Sequence, residues 1–370
     1  MHEITRRLRG LGQSLWLDGA DRTLLRSGAF STYIAELSVT GLSFNPAVFV
    51  HAMVAGHAYD DSIRALAAAE LSDEEQFFEL ALEDLTQAAE WLRPIFDATA
   101  GKEGWVSIGL SPLLADNAVQ TSAAARRLAS SAALANLFVR IPGTREGLRA
   151  VEELIVDGVA VDVSLLFSPE HCVAATEAYM RGLERRLTLG LDAAVCSVAS
   201  IGVSRWDVMV KEEISTPFHN RLGIAMAMRT YRSHCDMLAS SRWKRLEVAG
   251  AQPQRLLWSG TATSDPTVPA TLYVEALVAG GTIDSVTEQT LLAYANQTAA
   301  TPMRCSRNSG MKASTTPGSR SDCSATASSA LRLAGKPRSP TSGQRASSYC
   351  LSSRIGSGDD PIGRDGARRL

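Results

Sequence analysis

Short apolar runs, each closed by a small or polar residue and followed by a stretch of helical spacing, recur along the first 300 of the 370 residues. This alternation constrains the fold more than any other feature. Parallel strands need long crossover connections, and helices in those crossovers must cover the sheet. The runs fall at residues 14–17, ending at Asp18; 39–49, broken by Asn45-Pro46; 106–110; 137–141, ending at Pro142; 159–167; 195–203; and 255–259. Between them the spacing predicts helices over 117–135, 145–157, 169–187, 217–240 and 287–295. A capping-box pattern, Ser72-Asp73-Glu74-Glu75, opens a further helix with Phe78, Leu82, Leu85, Ala89 and Leu92 on one apolar stripe, ending at Pro94. That stripe reads as packing against a core. Seven or eight such units favour an α/β protein of the closed (β/α)8 TIM-barrel type. An open doubly wound sheet usually has fewer, and neither GxGxxG nor GxxxxGK[ST] occurs. In a barrel of this kind the chemistry sits where strands end, here Asp18, Asn45, Gly109, Arg140, Ser164, Ser200 and Gly260.

Composition matters chiefly because it changes along the chain. The net charge of −2 averages two unlike segments. Residues 303–370 carry 12 basic and 4 acidic side chains, hence +8, and residues 1–302 carry 25 and 35, hence −10. The second segment is rich in Ser, Arg, Gly, Ala, Pro and Thr, has no Glu, and shows no sustained period of two or 3.6. It reads either as a genuine basic tail or as the frameshifted end of a GC-rich gene. The domains are therefore read as a barrel over 1–300, incomplete at its C-terminal part, and a tail over 301–370. Loss of the last helices would leave an apolar seam beside the first and last strands, and hence a tendency to aggregate.

Several function classes are disfavoured. The near-even charge gives no bulk attraction to nucleic acid or to a membrane surface. The longest weakly polar run, 128–139, is too short to span a bilayer. Six cysteines (Cys172, Cys196, Cys235, Cys305, Cys323, Cys350) stand singly and without zinc-like spacing, which fits a reducing, cytoplasmic setting. The histidines form neither HxH nor HExxH, so no metal is expected. There is also no GxSxG, and Ser200 has no identifiable His partner.

Seven stretches in order, Ser14-Leu-Trp-Leu-Asp18, Gly41-Leu-Ser-Phe-Asn-Pro-Ala-Val-Phe49, Ser107-Ile-Gly-Leu-Ser-Pro112, Asn136-Leu-Phe-Val-Arg-Ile-Pro-Gly-Thr144, Ser164-Leu-Leu-Phe-Ser168, Ser197-Val-Ala-Ser200 and Leu272-Tyr-Val-Glu275, make residues 12–297 resemble the transaldolases. The resemblance implies a (β/α)8 barrel and a cytoplasmic, cofactor-free enzyme of the pentose phosphate pathway. Its partners would be sugar phosphates, and its reaction the transfer of a dihydroxyacetone unit from a ketose phosphate to an aldose phosphate through a Schiff base. Whether it is a monomer or a homodimer is left open.

Two catalytic positions depart from that pattern. The Schiff-base lysine falls at Arg140, and a guanidinium stays protonated and delocalised, so it is no amine nucleophile. None of the five lysines (Lys102, Lys211, Lys244, Lys312, Lys336) falls where it substitutes: Lys102 precedes its strand, the next two lie in helical regions and the last two in the tail. The carboxylate that activates the catalytic water falls at Gly109. Phe44, Asp162, Ser164, Gly202, Gly260 and Ser264 are further departures, while Asp18, Asn45, Ser200 and Arg205 match.

Three of these four matching residues have two readings. Asp18 is an acid/base group or a capping residue; Asn45 contacts substrate or makes a turn; Arg205 binds phosphate or pairs with Asp207 or Glu212. Arg140, if interior, needs a carboxylate, for which Asp18 and Asp162 are candidates. The residues favour a barrel that has left Schiff-base chemistry, inactive or repurposed as a sugar-phosphate binder, or using Asp18 for proton transfer. The alternatives are an active transaldolase whose sequence carries errors at these positions, and a scaffold that makes contacts through its basic tail.

Overall fold

A computed structural model describes residues 2–69, 71–263 and 265–297. The tail expected over 301–370, and any frameshift within it, lies outside the described residues. Eight parallel strands close into a barrel in sequence order: β1 Ser14–Asp18, β2 Val39–Ser43, β3 Trp105–Gly109, β4 Leu137–Pro142, β5 Val161–Leu166, β6 Ser197–Gly202, β7 Arg255–Ser259 and β8 Thr282–Val286. Closure comes from pairing of β1 with β8, where Trp16 lies opposite Ser285.

Alternation along the strands separates two cores. One set of positions meets on the barrel axis, where Trp16, Trp105, Phe138, Val198, Leu257 and Ile283 form a buried layer with Trp105 and Phe138 stacked at 4.0 Å. Gly41 is required beside it, since a Cβ there would fall 2.4 Å from the Trp16 ring. The other set, including Leu17, Val106, Val139, Val163 and Leu256, packs outward against the helices. Most helices start on local caps. Ser72 and Glu75 form the reciprocal capping box, and Thr144, Ser168, Ser240 and Thr287 each accept from an N–H in the first turn.

Some boundaries differ from the sequence reading. The helix Asp73–Ala98 runs through Pro94, which lies on the solvent face where the lost bond's carbonyl can be hydrated. Its buried face is Leu80, Ala81, Leu85, Ala88, Ala89 and Leu92, with Phe78 and Leu82 at the edge. Helix Leu222–Leu238 begins later than the expected 217 because Pro217 sits in a separate short turn, Thr216–Phe218. The seam between β1 and β8 carries helix Glu288–Ala295, anchored where Tyr33 Oη donates to Glu288 Oε1 at 2.6 Å. No helix among the described residues is long and apolar enough to cross a membrane.

Candidate active site

At the C-terminal end of the barrel, β4 aligns Arg140 opposite Gly109 on one side and Asp162 on the other. Arg140 is thereby set between a vacant neighbour and a carboxylate. Its Nε donates to Asp162 Oδ2 at 2.8 Å, and its Nη1 donates to the Phe44 carbonyl at 3.2 Å. Asp162 has no exposed surface and accepts two further bonds, from Ser107 Oγ at 2.8 Å and from Ser200 Oγ. Of the two carboxylates considered for Arg140, Asp162 is thus its direct partner. Asp18 feels the guanidinium only through space: burial raises its carboxyl above the ordinary carboxylate range, and Arg140 and the Asn45 amide pull it part of the way back.

Asp18 caps no helix. The cap of Arg22–Arg26 is Asp21, whereas Asp18 Oδ1 accepts from Asn45 Nδ2 at 3.3 Å. Asn45 has both of its expected roles in reach: Oδ1 caps helix Pro46–Ala55 through Ala47 N at 3.0 Å, and its amide faces Asp18. A Cβ on Gly109 would meet nothing within 4 Å, so the mouth has room for a side chain there. Ser164 is half-buried on β5, its hydroxyl 3.4 Å from the Ile141 carbonyl.

Arg205 lies in the first turn of Ser204–Val210, directly after β6, and is exposed. The expected alternative pairing with Asp207 or Glu212 is not made; among the described residues Arg205 has no ion pair. Asp207 is committed elsewhere, accepting from Leu222 N, Gly223 N and Tyr273 Oη. Ser264 lies outside the described residues.

Two of the unusual residues have packing explanations. Phe44 turns its ring away from the mouth into a cluster with Phe49 and Phe77, at centroid distances of 5.2 and 6.1 Å, and offers the site only its carbonyl. At Gly202 a Cβ would fall 2.5 Å from the Phe167 ring, so an aromatic at 167 occupies the space that a side chain at 202 would need. The parts that sequence reasoning missed are Ser107, visible only as an alternating polar residue inside β3, and the Phe44 carbonyl, which has no side-chain signature. Among the described residues no group of three or more His, Cys, Asp or Glu side chains is placed to hold a metal ion.

Comparison with known proteins agrees with this architecture. The family model for transaldolase/fructose-6-phosphate aldolase matches residues 15–328. The transaldolase of Thermobifida fusca (strain YX) is 38% identical over 293 residues, 77% of this chain and 80% of that protein. The transaldolase of Parafrankia sp. (strain EAN1pec) is 38% identical over 297 residues, 78% and 80% of the two chains. Transaldolase 1 of Streptomyces avermitilis is 36% identical over 302 residues, 80% of each. An eight-stranded parallel barrel with these motifs in order, matched over most of its length, places the chain in the transaldolase/fructose-6-phosphate aldolase family.

Proposed function

We propose that this barrel binds a sugar phosphate at its C-terminal mouth without forming a Schiff base, and so serves sugar-phosphate metabolism as a binder or a repurposed enzyme in the cytoplasm. The observation that carries this reading is Arg140. Transaldol chemistry needs an amine that loses its proton, attacks the ketose carbonyl and, as water leaves, forms an iminium that takes up the electron pair released when the carbon–carbon bond breaks. Arg140 stands where the resemblance puts that amine, and its guanidinium is tied to buried Asp162. An arginine there is a charge donor for hydroxyl or phosphate oxygens. Asn45, Ser164 and Asp18 supply hydrogen-bonding groups for a polyol, and exposed Arg205, which has no ion pair among the described residues, supplies a cation for the phosphate. Gly109 leaves no carboxylate to activate a water. A role for Asp18 in proton transfer fits its raised affinity for a proton and is the second activity to assay.

The test is borohydride trapping with fructose 6-phosphate. The natural chain is expected to gain no covalent adduct by intact mass while its melting temperature rises with the sugar phosphate; a borohydride-dependent adduct defeats the proposal. An added lysine alone is a weak rescue, because Asp162 would hold its ammonium protonated. The triple variant Arg140→Lys, Asp162→Asn, Gly109→Glu is expected to trap an adduct. Resequencing the codons for Gly109 and Arg140 separates this proposal from an active transaldolase with sequence errors.

A further inference from the structure

Arg140 is only partly used by the protein around it. Its Nε donates to Asp162 Oδ2 and its Nη1 to the Phe44 carbonyl, and these are its two hydrogen bonds among the described residues. A guanidinium carries five N–H groups in one plane, so one on Nη1 and both on Nη2 have no acceptor there. The side chain keeps 23% exposure, so a ligand can reach it. Its two bonds run to β5 and to the residue just after β2, which fixes the planar group across the end of β3.

The end of β3 leaves room beside it. Gly109 stands opposite Arg140 in register, and a Cβ there would meet nothing within 4 Å. Opposite residues of paired strands point to the same face, so this room lies on Arg140's side of the sheet. The neighbouring charges set the kind of anion that fits. Asp162 is balanced by Arg140 and by the hydroxyls of Ser107 and Ser200. Burial makes Asp18, the other carboxyl at this end, hold its proton more tightly than a free carboxyl does. Beside two such groups a dianionic phosphate is repelled more than a singly charged carboxylate, and a carboxylate matches the planar fork.

We propose that the mouth prefers a phosphorylated sugar acid, its carboxylate in the room beside Gly109 and bonded by the Nη1 and Nη2 N–H groups of Arg140. This inference rests on the reading of the mouth as a sugar-phosphate site and adds the substrate class, an aldonic acid phosphate ahead of a ketose phosphate. Arg205 remains for the phosphate.

Calorimetric titration of the full chain tests this. The main probes are 6-phosphogluconate and glucitol 6-phosphate, open chains that differ only in carrying a carboxylate or a hydroxymethyl group at C1. The acid is expected to bind at least about tenfold tighter, because charge-assisted hydrogen bonds replace neutral ones. Gly109→Glu, which puts the protein's own carboxylate into the room beside Arg140, is expected to cut that ratio to about threefold or less. Arg140→Gln combined with Asp162→Asn, which strands no buried charge, should do the same, whereas Arg205→Gln should weaken both ligands and keep the ratio. Melting curves establish that each variant folds, and the two ratio-lowering variants act on different strands, so a folding defect in one leaves the other decisive. If fructose 6-phosphate binds but the acid binds no tighter than glucitol 6-phosphate, the carboxylate site fails and the sugar-phosphate reading stands. Tighter binding of glucitol 1,6-bisphosphate than of the acid, an unchanged ratio in Gly109→Glu, or a ratio lost in Arg205→Gln also overturns the proposal. Saturation by none of these ligands below about 10 mM defeats both the site and the reading beneath it.

Discussion

Asp162 has no contact with solvent and accepts from Arg140, Ser107 and Ser200, so its negative charge is balanced by one cation and two hydroxyls. Arg140→Ala would strand that charge. Breaking a buried pair costs about 3–5 kcal/mol, and because the Arg140 side chain keeps 23% exposure a loss near about 3 kcal/mol is expected in urea melts. Adding Asp162→Asn to Arg140→Ala should recover most of it, since a neutral amide there needs no counter-charge; an equal loss in both variants would show that the charge is not what Arg140 balances. Asp284 presents the opposite case. It is fully buried on β8, and among the described residues neither oxygen has a hydrogen bond; Thr261 spends its hydroxyl proton on the Ser285 carbonyl. Burial raises its pKa from the ordinary 3.8 to about 7. The folded chain then keeps a proton that the unfolded chain has released, so the contribution of Asp284 to stability is most favourable below about pH 4, falls as the pH rises to about 7, and levels off above that. A shift of this size corresponds to about 4 kcal/mol at pH 8. Asp284→Asn should flatten the profile between pH 4 and 7 and raise the melting temperature at pH 8; an unchanged profile would place the titration elsewhere.

Elements add constraints that no single residue carries. Arg22, at the start of helix Arg22–Arg26, joins two other helices by donating from Nε to Asp84 at 2.6 Å, from Nη2 to Glu83 at 2.6 Å and from Nη1 to Ser62 at 2.7 Å. Tyr59 Oη completes the cluster by donating to Asp84 at 2.7 Å, with its ring 4.4 Å from the guanidinium. Asp84→Ala should cost about 3–5 kcal/mol, measured by chemical denaturation, because it leaves a buried cation short of its partner; a loss below about 1 kcal/mol would mean that Glu83 suffices. None of this cluster was legible in the sequence, where Arg22 and Asp84 stand 62 residues apart. What was legible is local. Valine-rich runs became strands, and the Ser72 box became a helix start, because propensity and capping act within a few residues. β8 escaped because Thr-Ile-Asp-Ser-Val puts a carboxylate in the middle of a short strand, against the pattern of a buried run. In the site, strand-end side chains such as Asp18 and Arg140 were readable. The Phe44 carbonyl and the exchange of bulk between Gly202 and Phe167 were not, since backbone acceptors and tertiary volume leave no periodic trace.

Over the whole molecule, a five-residue strand separates two chemically different ends by about 16 Å. The mouth holds Asp18, Arg140 and Asp162; the base holds Arg255 beneath an aromatic layer. That layer is closely packed, with Trp105 stacked on Phe138 at 4.0 Å and Trp16 over Phe138 at 6.1 Å, so neither end has a soft path by which to deform the other. A ligand at the mouth is therefore expected to act through the mouth alone. At a hundredfold excess over its dissociation constant, fructose 6-phosphate should stabilise the fold by about 2.7 kcal/mol. Denaturation of the full chain with and without the sugar phosphate measures this gain. Arg140→Ala, at the mouth, should remove most of it, whereas Arg255→Gln, at the base, should leave it unchanged; an equal loss of the gain in both variants would mean that the ligand does not bind at the mouth.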